Sequence, residues 1–192
     1  MKYLIVALIS YILGSLPAGY YIGKLIFKKD LRSMGSGNVG TTNAFRNFGK
    51  LAGFLTFAFD FLKGILACFI ANRIAGQSAT YLAMVFVVLG HMYSFVLNFK
   101  AGKGIATVFG ALIYINPTFA MVMLLVFLAV FLASRIVSLS SISVCIVAII
   151  ASLYKYGFTA FSLSLSAIAI LIIIKHRDNI KRLLNGEEKK MF

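Results

Sequence analysis

The sequence predicts an all-α integral membrane protein, a polytopic helical bundle of about seven transmembrane helices. Three observations predict it. The 192 residues are 61% hydrophobic and only 12% charged, whereas soluble domains run near half apolar and a quarter charged. The apolar residues come in runs close to the roughly 20 residues that cross a bilayer as a helix, with none of the two-residue alternation of a β-barrel strand. The basic residues gather in every second connection between those runs, as the positive-inside rule requires.

The first run, 2–27, carries Gly14-Ser15-Leu16-Pro17-Ala18-Gly19. Small residues around a proline predict a kinked helix packed closely on its neighbours. The run is too long, and followed by too many further spans, to be a cleaved signal peptide. The second, 51–72, holds Asp60 and Lys63 three apart on one helical face, spaced to neutralise each other as a salt bridge. The third, 79–98, places His91, Ser94 and Asn98 on one face toward its cytoplasmic end. A short apolar stretch, 104–115, stops at Asn116-Pro117, a dipeptide that ends helices, and is the short member of the seven. Runs 117–134, 136–154 and 158–174 complete the set. Serines in the last two, such as Ser138, help helices pack, and Ser138 lies near enough to the cytoplasmic end to touch a substrate. Cys68 and Cys145 stand in apolar runs without CxxC spacing and read as small buried hydrophobes. Beyond the last span, Ile180, Leu183 and Leu184 form a stripe that continues the helix along the interface. His176 and Asn179 share a face with Leu183, and Asp178 and Arg182 are spaced to pair.

With seven crossings and the N-terminus outside, 15 of the 19 Lys and Arg fall on the cytoplasmic side, three fall outside, and Lys63 lies within a span. The C-terminus is then cytoplasmic, and the chain reads as a single membrane-embedded domain, 1–192, with cytoplasmic loops 28–50, 98–104 and 175–190. The net charge of +14 suits anionic lipid head groups and anionic substrates at that face, not nucleic acid.

The chemistry concentrates in those loops. In Ser36-Gly37-Asn38-Val39-Gly40-Thr41-Thr42-Asn43-Ala44-Phe45-Arg46, two glycines let the backbone turn sharply and approach a ligand. Ser36, Asn38, Thr41, Thr42 and Asn43 add neutral hydrogen-bonding groups, and Arg46 adds a planar fork suited to phosphate. The stretch reads either as a loop that wraps an oxyanion or as a turn between two membrane helices. Gly102-Lys103-Gly104, at the start of a helix, offers N–H groups beside a point charge, a seat for phosphate. It is not a Walker A loop, because Leu97 stands five before Gly102 and Gly104 follows the lysine. No Ser-His-Asp arrangement is visible. The residues five after His91 and His176 are Val96 and Lys181, which excludes an HxxxxD acyltransferase motif. Metal-ligand spacing is missing, so neither metal nor cofactor is expected. A site without a nucleophile needs a substrate that arrives already activated. It has only to hold two anions, screen their repulsion and align them.

Taken together, the stretches 36–46, 99–107 and 176–188 resemble the three motifs of the bacterial acyl-phosphate:glycerol-3-phosphate acyltransferases, the PlsY family. Gly14-Ser15-Leu16-Pro17 and Asp60–Lys63-Gly64 match as well, and the likeness covers nearly the whole chain in order. Ala101 stands where the family often has glycine, and Glu187-Glu188 where Thr-Glu is expected, so Glu188 is the matching carboxylate. The resemblance implies an enzyme of the bacterial inner membrane with its site facing the cytoplasm. It would catalyse the first acylation step of phospholipid synthesis, moving a fatty acyl group from acyl phosphate to the 1-hydroxyl of sn-glycerol 3-phosphate and giving lysophosphatidic acid and phosphate. It also implies roles: Ser36, Asn38 and Arg46 on the acyl phosphate, with Thr41 and Asn43 in the same binding loop. Lys103, with the Gly102 and Gly104 backbone, would hold glycerol phosphate. His176 and Asn179 would orient the attacking hydroxyl, with Glu188 in the same motif. The general base is either His176 or the leaving phosphate. The rival reading is an organic-phosphate transporter, which would place polar groups near mid-membrane in two related halves; no internal repeat is present.

Overall fold

The computed structural model describes residues 1–191, and every element among them is helical. The chain forms two compact units, Met1–Ile115 and a second from Asn116 on. The first contains α1 (Lys2–Gly14), α2 (Ala18–Leu25), α3 (Thr41–Phe48), α4 (Lys50–Ala75), α5 (Gln77–Met92) and α6 (Ile105–Ile115), with 3₁₀ turns at Leu31–Ser33 and Phe95–Leu97. The second contains α7 (Pro117–Ser134), α8 (Val137–Tyr156), α9 (Ala160–Lys175) and α10 (Arg177–Leu184). Among the described residues, five stretches are long and apolar enough to cross a membrane: Lys2–Leu25, Lys50–Ala75, Gln77–Leu97, Pro117–Ser134 and Val137–Tyr156. The bent pair α9 and α10 makes a sixth candidate, and α6 is the shorter apolar helix. Exposed Leu125, Leu128 and Leu132 on α7 would be a liability in water but suit hydrocarbon as solvent.

In the first unit the predicted kink is a full break between α1 and α2. Pro17 cannot donate a backbone hydrogen bond, and two carbonyls leave the helical ladder. Both are recaptured by side chains from elsewhere in the unit, as backbone at membrane depth requires. Ser94 Oγ donates to the Ser15 carbonyl at 2.5 Å, and Lys63 Nζ donates to the Leu16 carbonyl at 3.0 Å. Close helix approach depends on glycine. A Cβ on Gly14 or Gly90 would overlap the backbone carbonyl of Val87 or of Tyr11 across the α1–α5 seam, the small-residue packing expected of a membrane bundle. Gly64 and Gly110 do the same for α4 and α6, against Thr107 and Phe61.

The third span departs from the expected single face. α5 ends at Met92, and Tyr93 leaves helical geometry at φ −125°, ψ 54°. Ser94 then starts a 3₁₀ turn, and Asn98 is left-handed at φ 51°. His91, Ser94 and Asn98 therefore do not share a helical face, because the helix that would align them stops short of two of them.

The second unit is capped at the ends where its sequence says it should be. Asn116 accepts from the Phe119 N–H at 3.0 Å with Pro117 in the first turn. Thr159 and Ser162 form a reciprocal capping box at the start of α9. The last helix does continue, as expected, but turns by 57° between α9 and α10, with His176 at the bend.

Candidate active site

In the first unit the start of α4, the end of α5 and the start of α6 lie at one end, as alternating antiparallel helices must. Two of the sequence-predicted loops meet there. The stretch 36–46 is partly loop and partly helix: Thr41 through Arg46 belong to α3, with Gly40 as its N-cap. Val39 is buried, and its carbonyl sits against Gly19 of α2, where a side chain would collide with it. The loop is thereby seated on the broken first span.

Asn43, expected to bind substrate, is the internal clasp of this loop. It is 4% exposed. Its Oδ1 accepts from the Ser36 N–H at 3.1 Å and from Asn47 Nδ2 at 2.9 Å. Its Nδ2 donates toward the carbonyls of Leu31, Met34 and Asn38 at 3.3, 3.0 and 2.8 Å. These bonds engage both ends of the amide, so Asn43 shapes the loop. Asn38 Oδ1 accepts from the Gly40 N–H at 2.9 Å, and its Nδ2 donates to the Ala101 carbonyl at 3.3 Å. That second bond joins the first loop to the Gly102-Lys103-Gly104 loop. Ser36 and Arg46 are exposed, while Asn38, Thr41 and Lys103 are half-buried.

Gly102 departs from its expected role. Its N–H is not offered to a ligand, because it donates to the His91 carbonyl at 3.1 Å. α6 begins only at Ile105, after Gly104 at φ +94°, a conformation that favours glycine. On the rim of this unit, Arg32 hydrogen-bonds Asp30 at 2.7 to 3.2 Å, and Lys24 lies 3.6 Å from the same carboxylate. The Arg32 bond, helped by both charges, holds the Asp30 carboxyl below the usual range. Arg32 also lies over the Tyr20 ring at 4.9 Å, so its charge is answered locally.

In the second unit, the start of α8, the end of α9 and α10 form one polar end. His176, 3% exposed, has its Nδ1 2.8 Å from the Ile172 carbonyl. A carbonyl only accepts, so Nδ1 carries a proton and donates it to Ile172. Asn179, 6% exposed, donates to Glu188 Oε1 at 2.6 Å, and Ser138 Oγ donates to the same oxygen at 2.8 Å. Arg182 Nε donates to Oε2 at 2.6 Å. Burial pushes the Glu188 carboxyl up, but these three donors and the Arg182 charge outweigh it and hold the group below the usual range. The expected pairing of Asp178 with Arg182 does not form. Arg182 turns to buried Glu188, while exposed Asp178 lies 3.8 Å from Arg177, because a desolvated carboxylate with two further donors is the stronger anchor. Ser138 holds Glu188. The chain then runs back, with the Met191 N–H donating to the Arg135 carbonyl at 2.8 Å.

Among the described residues, no cluster of three or more His, Cys, Asp or Glu could hold a metal ion. The sequence reading missed two residues that matter here. Asn47 backs Asn43, one turn on along α3, and His91 joins Asp60 and Lys63 from another helix (Nδ1 to Lys63 Nζ, 2.9 Å). The first was legible as an Asn-x-x-x-Asn spacing. The second had no local signal, since 28 residues separate His91 from Lys63.

Residues 4–186 match the family model described as glycerol-3-phosphate acyltransferase. The chain belongs to the glycerol-3-phosphate acyltransferase family. A glycerol-3-phosphate acyltransferase of Carboxydothermus hydrogenoformans is 42% identical over 98% of this chain and 96% of its own length. One of Staphylococcus haemolyticus is 38% identical over 100% of this chain and 98% of its own. The crystal structure of PlsY (YgiH), an integral membrane glycerol 3-phosphate acyltransferase, in its glycerol 3-phosphate form superposes with a TM-score of 0.93 at 40% identity, covering 99% of this chain and 96% of that one. The lysophosphatidic acid form superposes with a TM-score of 0.89 at 38% identity, covering 99% and 95%. Membership makes the chain an enzyme of the acyltransferase class and a multi-pass helical membrane protein.

Proposed function

We propose that this acyltransferase moves a fatty acyl group from acyl phosphate to the 1-hydroxyl of sn-glycerol 3-phosphate, releasing lysophosphatidic acid and inorganic phosphate. The observation that carries the reading is the chemistry of the two polar ends. Each is rich in cations, amides and backbone donors, and the serine that meets a carboxylate, Ser138 on Glu188, belongs to a clasp that Asn179 and Arg182 complete. Such residues bind and align anions but supply no covalent intermediate, so the donor must bring its own leaving group. A mixed anhydride does. The acceptor hydroxyl attacks the acyl carbonyl carbon, a C–O ester bond forms, and the bond from that carbon to the phosphate oxygen breaks. Phosphate leaves with the bonding pair.

Ser36, Asn38 and Arg46 take the phosphate of the donor, with Thr41 and the N–H groups of the α3 first turn beside them. Lys103 and the Gly104 backbone take the phosphate of the acceptor. His176 and Asn179 orient the hydroxyl, and Glu188 holds Asn179 in place. The hydroxyl proton passes to the departing phosphate. His176 is nearly wholly buried and tied at Nδ1 to the helix bend, which suits an orienting group. The positive-inside pattern supports an N-terminus outside, a cytoplasmic C-terminus and seven crossings of the bacterial inner membrane, with both phosphates at the cytoplasmic interface. The test is phosphate release from purified protein given acyl phosphate, with and without glycerol 3-phosphate. Release that depends on the acceptor, with acyl-CoA inert as donor, is the expected result. Release independent of the acceptor, or translocation of organic phosphate into vesicles without acyl transfer, would instead favour the transporter reading.

A further inference from the structure

The reaction makes no use of the buried set Asp60, Lys63 and His91, which are 2, 8 and 7% exposed. Ion-pair neutrality needs only the first two, whose Nζ–Oδ1 distance is 2.7 Å. The geometry goes further. A lysine ammonium has three N–H bonds and can only donate, and here three polar groups meet it. They are Asp60 Oδ1, the Leu16 carbonyl at 3.0 Å and His91 Nδ1 at 2.9 Å. His91 Nδ1 lies 3.3 Å from Asp60 Oδ1 as well, so the ring is held in one orientation between the two charged side chains.

The far edge of that ring abuts the second motif loop. A Cβ on Gly102 would collide with His91 Nε2. The main chain ties the same residues: Gly102 N–H donates to the His91 carbonyl at 3.1 Å, and Ala101 N–H to the Met92 carbonyl at 3.3 Å. The intervening turn holds two consecutive non-glycine residues in the left-handed region, Asn98 at φ 51° and Phe99 at φ 61°. That conformation persists only where the surroundings over-determine it.

We propose that His91, locked by Lys63 and Asp60, is a positioning residue. Its ring is the stop against which the 101–104 backbone rests, and it sets the height and direction of Lys103. The proposal rests on the reading of Lys103 as the seat of the glycerol 3-phosphate phosphate group.

The test is equilibrium binding of glycerol 3-phosphate to the purified full-length protein, in a cycle of His91→Asn, Lys103→Ala and the double variant. Asparagine keeps a polar group near the Nδ1 position for Lys63 but withdraws the ring edge from Gly102. His91→Asn is expected to raise Kd about tenfold, with Tm and the KM for acyl phosphate unchanged. Lys103→Ala is expected to raise Kd by at least as much, and the double variant to be no weaker than Lys103→Ala alone, because coupled residues are not additive. Should His91→Asn fail to accumulate, His91→Gln carries the same cycle with the same expectation. If Lys103→Ala weakens binding but the His91 variant does not, or the two effects add, the positioning role is overturned and the reading of Lys103 stands. If Lys103→Ala leaves Kd unchanged, both fall.

Discussion

Replacing Glu188 with glutamine should unfasten the C-terminal motif while leaving the rest of the second unit intact. The carboxylate receives Ser138 Oγ at 2.8 Å, Asn179 Nδ2 at 2.6 Å and Arg182 Nε at 2.6 Å. In Glu188→Gln the carbonyl oxygen still accepts from Ser138 and Asn179, but as a neutral group, and charge assistance roughly doubles the strength of such bonds. The amide nitrogen then faces Arg182 Nε, a donor against a donor. The Arg182 side chain is 38% exposed, so solvent screening limits that pair to about 1 kcal/mol. With about 0.5–1 kcal/mol lost on each of the two remaining bonds, the local cost is about 2–3 kcal/mol, or roughly a 30- to 150-fold rise in opening of the segment. Amide hydrogen exchange over residues 176–188 at pH 7 reads this directly, with α7 as an internal control. The pH dependence has a definite sign. The folded carboxyl is held below its ordinary value, so its stabilisation is complete above an unfolded pKa of about 4.3 and is lost as pH falls through the lower folded value. The advantage of the native protein over Glu188→Gln should be flat from neutral pH down to about 5 and shrink below that. Equal protection of the two proteins at pH 7, or an advantage that grows on acidification, would refute the clasp.

The remaining predictions concern the first unit and the bend. Asn43→Ala removes a side chain with five hydrogen-bond partners between Leu31 and Asn47 and should cost about 3 kcal/mol. Asn43→Asp, lacking the amide hydrogens, should rescue only part of it, and an unaltered Tm for both would remove the clasp. Arg46→Lys should lower kcat/KM at least about tenfold, because a point charge does not replace a planar fork on phosphate; unchanged kinetics would take Arg46 out of the site. His176→Asn keeps a group able to bond the Ile172 carbonyl, so kcat should fall by about tenfold or less with the pH profile unchanged. A loss in the range of about 10²–10⁴, typical of a missing general base, together with loss of the limb near the histidine pKa, would make His176 the proton acceptor.

The fold was legible because the bilayer imposes a length and a composition that no local detail can hide. The long runs in the sequence returned as helices, the first broken in two at Pro17 and the third stopping at Met92, and Asn116-Pro117 ended one helix and capped the next where its chemistry required. What periodicity could not reveal was where helices stop for reasons outside themselves. Nothing in 79–98 marks Tyr93 as an exit, because the loop that follows is held by the carbonyls of His91 and Met92. Similarly, Pro17 announced a kink, but the break is stabilised by Ser94 and Lys63, from elsewhere in the chain.

The site was legible as chemistry and less so as architecture, and Asn43 shows why. Composition cannot distinguish an amide that meets a ligand from one that builds the loop, since both need the same donor and acceptor. The difference lies in where the surrounding carbonyls point, and that is set by the glycines at 35 and 37, whose φ values of 55° and 70° fold the Leu31–Asn38 backbone around the side chain. The same reasoning separates Glu188 from Asp178. Both are carboxylates near Arg182, and helical spacing favours Asp178. Desolvation selects Glu188, because a carboxylate removed from water must collect donors or lose its charge, and Ser138 and Asn179 complete the set that an exposed aspartate has no need of. Polar residues in a membrane enzyme thus divide by burial. Those whose donors and acceptors are answered within the protein, Asn43 and Glu188 here, shape the loops around them.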